Sequence, residues 1–96
     1  MTKQTRTNAT PGFAIKITND TDLGMGMLLA NFADGSSEPI GVVACINEAR
    51  ETADSDFLLR TRELERGNSE PSCPESYTLW ARGLGGEYRI VTKIGG

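Results

Sequence analysis

The sequence predicts an α+β fold in which an antiparallel sheet carries one long helix on one face, with the elements in the order β-β-β-α-β-β. Three observations lead to this prediction. Several runs alternate apolar and polar residues with the two-residue period of a half-buried strand. Two glycine-containing segments between such runs have the composition of hairpin turns. One longer stretch repeats its apolar residues every three or four positions, as an amphipathic helix does.

Three strands are predicted in the first half of the chain. Residues 13–18 alternate apolar and polar side chains and indicate a half-buried strand. A second strand at residues 27–32 and a third at residues 40–43 flank Asp34 and Gly35, which form the strongest short hairpin signal in the sequence. We therefore expect the second and third strands to pair antiparallel.

One long helix is predicted next. Cys45 and Glu48 have the spacing of a capping box, with Cys in place of the usual Ser, and Glu48 is placed to accept a hydrogen bond from a backbone amide at the cap. Apolar residues then recur at helical spacing through residues 46–64, and Gly67 follows a basic last turn as a C-cap. Residues 54–56 also have the composition of an N-cap, so two helices that meet there are the alternative interpretation. The continuous apolar stripe favours one helix.

A second hairpin is predicted at the end of the chain, where residues 77–82 and 87–94 flank a glycine-rich turn. Alternation places Trp80 and Arg82 on one face of this hairpin, but it does not decide which face meets the helix. If the pair faces solvent, it has the composition of a binding hot spot. If it faces the helix, Trp80 belongs to the core. No internal repeat is apparent in the sequence.

The length of the chain limits its organisation. With 96 residues it can bury one modest core, so we expect a flexible tail at residues 1–11 and a single domain at residues 12–96. No apolar run approaches the ~20 residues that cross a bilayer. The basic residues at the N-terminus lack the apolar stretch of a secretory signal behind them. We therefore expect a soluble, cytoplasmic protein with no membrane partner.

The residue types argue against catalysis and metal binding. The chain has no histidine, which removes the commonest general base and the commonest zinc ligand. The turn at residues 19–24 lacks the full ligand set of a calcium loop. Cys45 and Cys73 are few for a disulfide-stapled domain and are expected as reduced thiols, with a bond between them left open. We predict no catalytic residue, no cofactor and no metal ligand.

Acidic residues are concentrated in the middle of the chain. Residues 19–56 contain eight acids and one base, whereas the whole chain has a net charge of −3. Such a block disfavours nucleic acid as a direct ligand and favours a partner with a basic surface. The residues predicted to bind a partner are Asp34, Glu38, Glu48, Glu51, Asp54, Asp56, Trp80 and Arg82.

Two segments carry a resemblance. Residues 40–51 read IGVVACINEARE and residues 77–89 read YTLWARGLGGEYR. Both resemble segments of small uncharacterised bacterial proteins carried on plasmids and phages. Small acidic products of such elements resemble inhibitors of host defence, such as anti-CRISPR proteins. The resemblance therefore implies a protein that acts by covering a protein surface or a nucleic-acid-binding surface.

Three hypotheses of function follow. The leading one is a non-catalytic inhibitor whose acidic surface blocks a basic, nucleic-acid-binding groove of a larger protein. The second is a homodimeric regulatory or housekeeping module that pairs through the Trp80 hairpin or an unpaired sheet edge. The third is a thiol-dependent redox protein centred on Cys45, at the start of the helix. Monomer and homodimer both remain open.

Overall fold

A computed structural model describes residues 10–67 and 72–95 and confirms the α+β fold. Four strands form one antiparallel sheet in the order β2-β1-β3-β4, with β1 and β3 at its centre. One helix packs on one face of this sheet. Of the predicted tail, only residues 10 and 11 lie within the described residues. The elements are β1 Gly26–Asn31, β2 Ser37–Val43, α1 Ile46–Glu65, β3 Ser76–Arg82 and β4 Tyr88–Ile94.

The predicted strand at residues 13–18 is wrong, so the order of elements is β-β-α-β-β. Phe13 is buried, but Ile15 is 56% exposed, so the alternating residues do not share one covered face. Local hydrogen bonds hold the segment instead. The Thr10 N–H donates to the Ile15 carbonyl, and the Ile17 N–H donates to the Thr10 hydroxyl. These bonds occupy the Ile15 carbonyl and the Ile17 N–H, which pairing with a neighbouring strand would need.

The prediction of one continuous helix is confirmed by α1, which has 20 residues. Glu48 accepts a hydrogen bond from the Ala44 N–H, one residue before the cap residue, so the predicted capping contact is shifted by one position. The Cys45 side chain makes no capping bond. The Asn47 N–H instead donates to the Asn19 carbonyl at 2.9 Å. The turn at Asn19 therefore supplies a hydrogen-bond acceptor for a free N–H in the first turn of the helix.

The core lies between α1 and one face of the sheet. Leu28 and Leu79 have no exposed surface and are paired across the two central strands. The helix contributes mainly small side chains here, because Ala49 and Ala53 are its buried residues over the middle of the sheet. Small residues let the helix approach the sheet closely, and the two leucines fill the space between them.

The structure decides which face of β3 meets the helix. Leu79 and Ala81 are buried on the helix side, so Trp80 and Arg82 lie on the opposite face of the sheet. Trp80 is half-buried there, and its indole N–H donates to the Thr78 hydroxyl at 3.0 Å. Of the two arrangements that the sequence allowed, the one that places Trp80 beside Arg82 and outside the core is therefore correct.

The two hairpins are structural repeats, which contradicts the absence of a repeat in the sequence analysis. All six residue pairs between β1 and β2 recur between β3 and β4 at a constant offset of 51 residues, as in the shift from Leu28–Gly41 to Leu79–Thr92. The register shift after Leu28 likewise recurs after Leu79. Because β1 and β3 are antiparallel, a local two-fold rotation relates the hairpins.

The turns of the two hairpins repeat as well. The Gly35 N–H donates to the Phe32 carbonyl and the Gly86 N–H to the Gly83 carbonyl, both at 3.0 Å. Gly35 and Gly86 have positive φ angles of 90° and 88°, which residues with a side chain adopt only with strain. Across the repeat the sequences are identical only at Leu28/Leu79, Ala30/Ala81 and Gly35/Gly86. This low identity hid the repeat.

Within the described residues, no helix combines the length and the apolar character that crossing a bilayer requires.

Candidate functional site: the open face of the sheet

The sheet has one face covered by α1 and one face turned away from it, which we call the open face. The strand register aligns Val42, Met27, Trp80 and Ile90 in one row that crosses all four strands. Val42 and Ile90 at the ends of the row are 55% and 52% exposed. Large apolar residues in one uncovered patch are typical of interaction surfaces. The residues of the open face are Met27, Leu29, Asn31, Ser37, Pro39, Val42, Ser76, Thr78, Trp80, Arg82, Tyr88, Ile90 and Lys93.

A shallow depression of about 270 Å³ lies on this face. It is lined by Met27 and Leu29 from β1, Trp80 from β3 and Tyr88 from β4. Its residues come from the two central strands and one edge strand, so the rigid sheet holds the lining in place. A depression with apolar walls fits a large apolar side chain of another molecule.

Arg82 lies against Tyr88, which lines the depression, and two contacts orient its side chain. Its guanidinium lies over the Tyr88 ring, 5.3 Å from the ring centroid. One guanidinium nitrogen also donates to the Gly86 carbonyl at 2.6 Å. Among the described residues, no carboxylate pairs with Arg82. The positive charge is therefore oriented by its neighbours but not neutralised by them.

The charge of the open face is of one sign. Arg82 and Lys93 are its charged residues, and it contains no Asp or Glu. The predicted acidic residues lie in the β1–β2 turn, on the helix side of β2 or on α1. The acids and the Trp80–Arg82 pair therefore do not form one surface, although the sequence analysis placed them in one set.

A second arginine is used internally. Arg60, on α1, is 7% exposed and bonds to Asp56 at 2.7 Å and to Glu38 at 3.1 Å. Another of its nitrogens donates to the Ser72 carbonyl at 3.0 Å, and the guanidinium lies over the Phe32 ring at 5.4 Å. Burial lowers the pKa of Arg60, but the bonds to the two carboxylates outweigh burial and the net shift is upward.

Tyr77 extends this internal network. Its hydroxyl donates to the Asp56 carboxylate at 2.6 Å. Burial raises the pKa of Tyr77, and the hydrogen bond and negative charge of Asp56 raise it further, well above the ordinary value for tyrosine. Asp56 is therefore held by Arg60 and Tyr77 together. Both bonds end on the same oxygen, Oδ2, and the bond from Tyr77 attaches α1 to the sheet.

The remaining predicted acids differ in their availability. Asp34 accepts hydrogen bonds from the Ser36 hydroxyl and the Ser36 N–H in the β1–β2 turn, and these bonds lower the pKa of Asp34. Glu48 is bonded at the start of α1, as described above. Glu51 and Asp54 lie exposed on α1. Of the predicted acidic surface, these two have the freest carboxylates.

The cysteines answer a question that the sequence left open. Cys45 precedes the first turn of α1, whereas the Cys73 sulfur lies 4.0 Å from the Thr61 hydroxyl near its end. The helical rise between residues 45 and 61 is about 24 Å, far beyond the reach of a disulfide. Both thiols are free. Within residues 10–67 and 72–95, no group of three or more Cys, Asp or Glu side chains is arranged to hold a metal ion.

Sequence reasoning missed most of the open face. Met27, Leu29, Tyr88 and Ile90 each lie in a predicted strand, but alternation assigned them no face until the position of the helix was known. The signal that was present is the alternation of residues 77–82, which places Trp80 and Arg82 on one face. Comparison of the chain with protein-family models, with curated proteins and with solved structures found no match. The function is therefore inferred from the open face itself.

Proposed function

We propose that this chain is a non-catalytic binding protein that docks a larger protein through the open face. One observation carries the proposal: an apolar depression lies beside Arg82, whose guanidinium is oriented by Tyr88 and Gly86 and has no carboxylate partner among the described residues. Tryptophan, tyrosine and arginine dominate the binding energy of protein interfaces. Here all three residue types meet on one rigid face.

The chemistry of the open face defines the partner. A large apolar side chain of the partner fills the depression formed by Met27, Leu29, Trp80 and Tyr88. A carboxylate next to it accepts hydrogen bonds from Arg82. Because the guanidinium is already held in place, little conformational entropy is lost when the pair forms. A strongly basic partner surface is disfavoured here, since Arg82 and Lys93 would repel it.

As in the leading hypothesis from the sequence, the protein acts by covering a surface of its partner. The contact is made by the open face and not by the acidic residues. A small protein that covers part of a larger one inhibits it without any chemistry of its own. The inhibitory, anti-CRISPR-like role and the origin on a phage or plasmid therefore remain proposals, now attached to the open face. Single-stranded nucleic acid also stacks on aromatic residues of sheets. Two cations on a chain with a net charge of −3 favour a protein over it.

The test compares two charge reversals on opposite sides of the molecule. Arg82→Glu alters the open face, and Arg62→Glu is the matched control, because Arg62 is exposed on α1. Each tagged variant is used to capture partners from a host lysate beside the unaltered protein. We expect Arg62→Glu to retain the captured protein and Arg82→Glu to lose it. With the purified partner, Arg82→Ala should weaken binding by about 30-fold or more, the size of a hot-spot contact.

Three results would contradict the proposal. The first is full binding by Arg82→Glu together with loss of binding by Glu51→Lys/Asp54→Lys, which would return the contact to the acidic residues of α1. The second is equal loss in the two arginine variants. The third is quenching of Trp80 fluorescence by oligo(dT) at physiological salt, which would identify single-stranded nucleic acid as the ligand. Circular dichroism of each variant confirms that the fold is retained.

A further inference from the structure

One edge of the sheet is open to another strand, and the other edge is blocked. β2 and β4 are the edge strands. In the repeat, Pro39 of β2 occupies the position that Ile90 occupies in β4. Proline has no N–H to offer a neighbouring strand, and β4 contains no proline. A sheet with a single open edge pairs once and closes, whereas a sheet with two open edges continues into a fibre.

A groove of about 390 Å³ lies between α1 and the end of the sheet at which β3 begins and β4 ends. Phe57 of the helix and Ile94 of β4 both line it. Phe57 is 46% exposed, so its apolar side chain is only partly covered within one chain. The carboxylates of Asp54 and Glu75 also border the groove. An apolar residue and a cation from a strand paired beside the end of β4 fit this space.

We propose that a second copy of this chain supplies that strand. The two β4 strands pair antiparallel about a two-fold axis and join the two sheets into one of eight strands. Antiparallel pairing places the start of one β4 beside the end of the other. Arg89 lies near the start of β4 on the helix side, opposite the buried Ala81; its side chain is 48% exposed and pairs with the exposed Glu87 at 3.0 Å. Ile94, at the end of β4, lines the groove.

The interface is therefore self-complementary in charge. Arg89 of each copy lies beside Asp54 and Glu75 of the other, and the contact is made twice by symmetry. In such an isologous interface both copies use the same residues, so no other part of the chain is required. The inference concerns the edge of β4 and stands apart from the docking of a partner on the open face.

The first test transfers the block from one edge to the other. Ile90→Pro places on β4 the proline that β2 carries at the equivalent pair, and Pro39 shows that this backbone position accepts proline. Sedimentation equilibrium of the purified full chain should give twice the monomer mass for the unaltered protein and for Ile90→Val, and the monomer mass for folded Ile90→Pro. A monomer at every soluble concentration of the unaltered protein, or a dimer that persists in Ile90→Pro, would overturn the inference.

The second test exchanges the charges across the interface. Arg89→Glu and Asp54→Arg should each weaken dimerisation by about tenfold, and the double variant should restore it, because the pair is then formed in reverse. A double variant that stays as weak as the single ones would show that Arg89 does not meet Asp54. The two proposals fail separately, since Arg82→Glu leaves the dimer intact and Arg89→Glu leaves the open face unaltered.

Discussion

The two hairpins of this protein have the same backbone and different surfaces. β1–β2 and β3–β4 share every residue pair, the position of the register shift and the hydrogen bonds of the turn. Their identical residues are the buried Leu28 and Leu79, the buried Ala30 and Ala81, and the turn glycines. What the repeat retains is therefore what the backbone requires: two fully buried layers and a residue that tolerates positive φ.

The positions that differ between the hairpins determine what each hairpin does. Glu38 of the first hairpin pairs with Arg60 and ties β2 to the helix. Within the part of the chain that the structure describes, the equivalent residue of the second hairpin, Arg89, pairs with Glu87 of its own hairpin and remains half exposed. Asn31 of β1 bonds within the sheet, whereas its equivalent Arg82 is oriented toward solvent. At these two pairs of equivalent positions, the first hairpin uses its polar residues within the fold, whereas the second presents its arginines at the surface.

The largest expected effect tests whether the equivalent buried leucines of the two hairpins stabilise the fold equally. Leu28→Ala and Leu79→Ala each remove a side chain with no exposed surface, so each should lower the free energy of unfolding by about 3 kcal/mol. Urea titration measures both. Because the two leucines are paired, the double variant should lose less than the sum of the single losses. A difference of more than about 2 kcal/mol between the single variants would show that the hairpins are unequal in the core.

The next effect separates the internal arginine from the external one. Arg60→Met leaves Asp56 and Glu38 without their partner and should lower the free energy of unfolding by about 2 kcal/mol, less than for a fully buried pair because Glu38 is 55% exposed. Arg82→Met should change it by no more than about 0.5 kcal/mol. Thermal or urea unfolding measures both variants. Equal losses would mean that Arg82 also stabilises the fold.

The smallest effect tests the equivalence of the turns. Gly35→Ala and Gly86→Ala should each cost about 1 kcal/mol, because both glycines have positive φ and an added Cβ meets no atom within 4 Å. The cost is then backbone strain alone and should be the same in both turns. Urea titration of the two variants under one set of conditions gives the comparison. A loss confined to one hairpin would show that the turns are repeated in geometry but not in energy.

Much of the fold could be predicted from local patterns, and the errors have local causes. Alternation identified β3 and β4, glycine and aromatic composition identified β1, and the turn glycines identified both hairpins. The apolar stripe identified α1 as one helix. β2 begins at Ser37, three residues before its predicted start, because Pro39 argues against a strand except at an edge. Residues 13–18 alternate as a strand does, but turns formed by Thr10 capture their amides.

The candidate site was less accessible to prediction. Trp80 and Arg82 were identified as a possible hot spot, but the acidic residues grouped with them lie elsewhere, and Asp56 and Glu38 are bonded to Arg60. Arg60 received no role in the sequence analysis, because its partners come from α1, β2 and the chain before β3. No spacing along the sequence brings these groups together.

The amino-acid sequence by itself determined the strands, the helix and the turns of this protein, since periodicity, capping and positive φ depend on neighbours within a few residues. Only the tertiary structure decided which face of β3 is covered, which sheet edge is open and which arginine is neutralised. Each of these depends on where α1 packs, and that position is set by contacts between residues far apart in the chain.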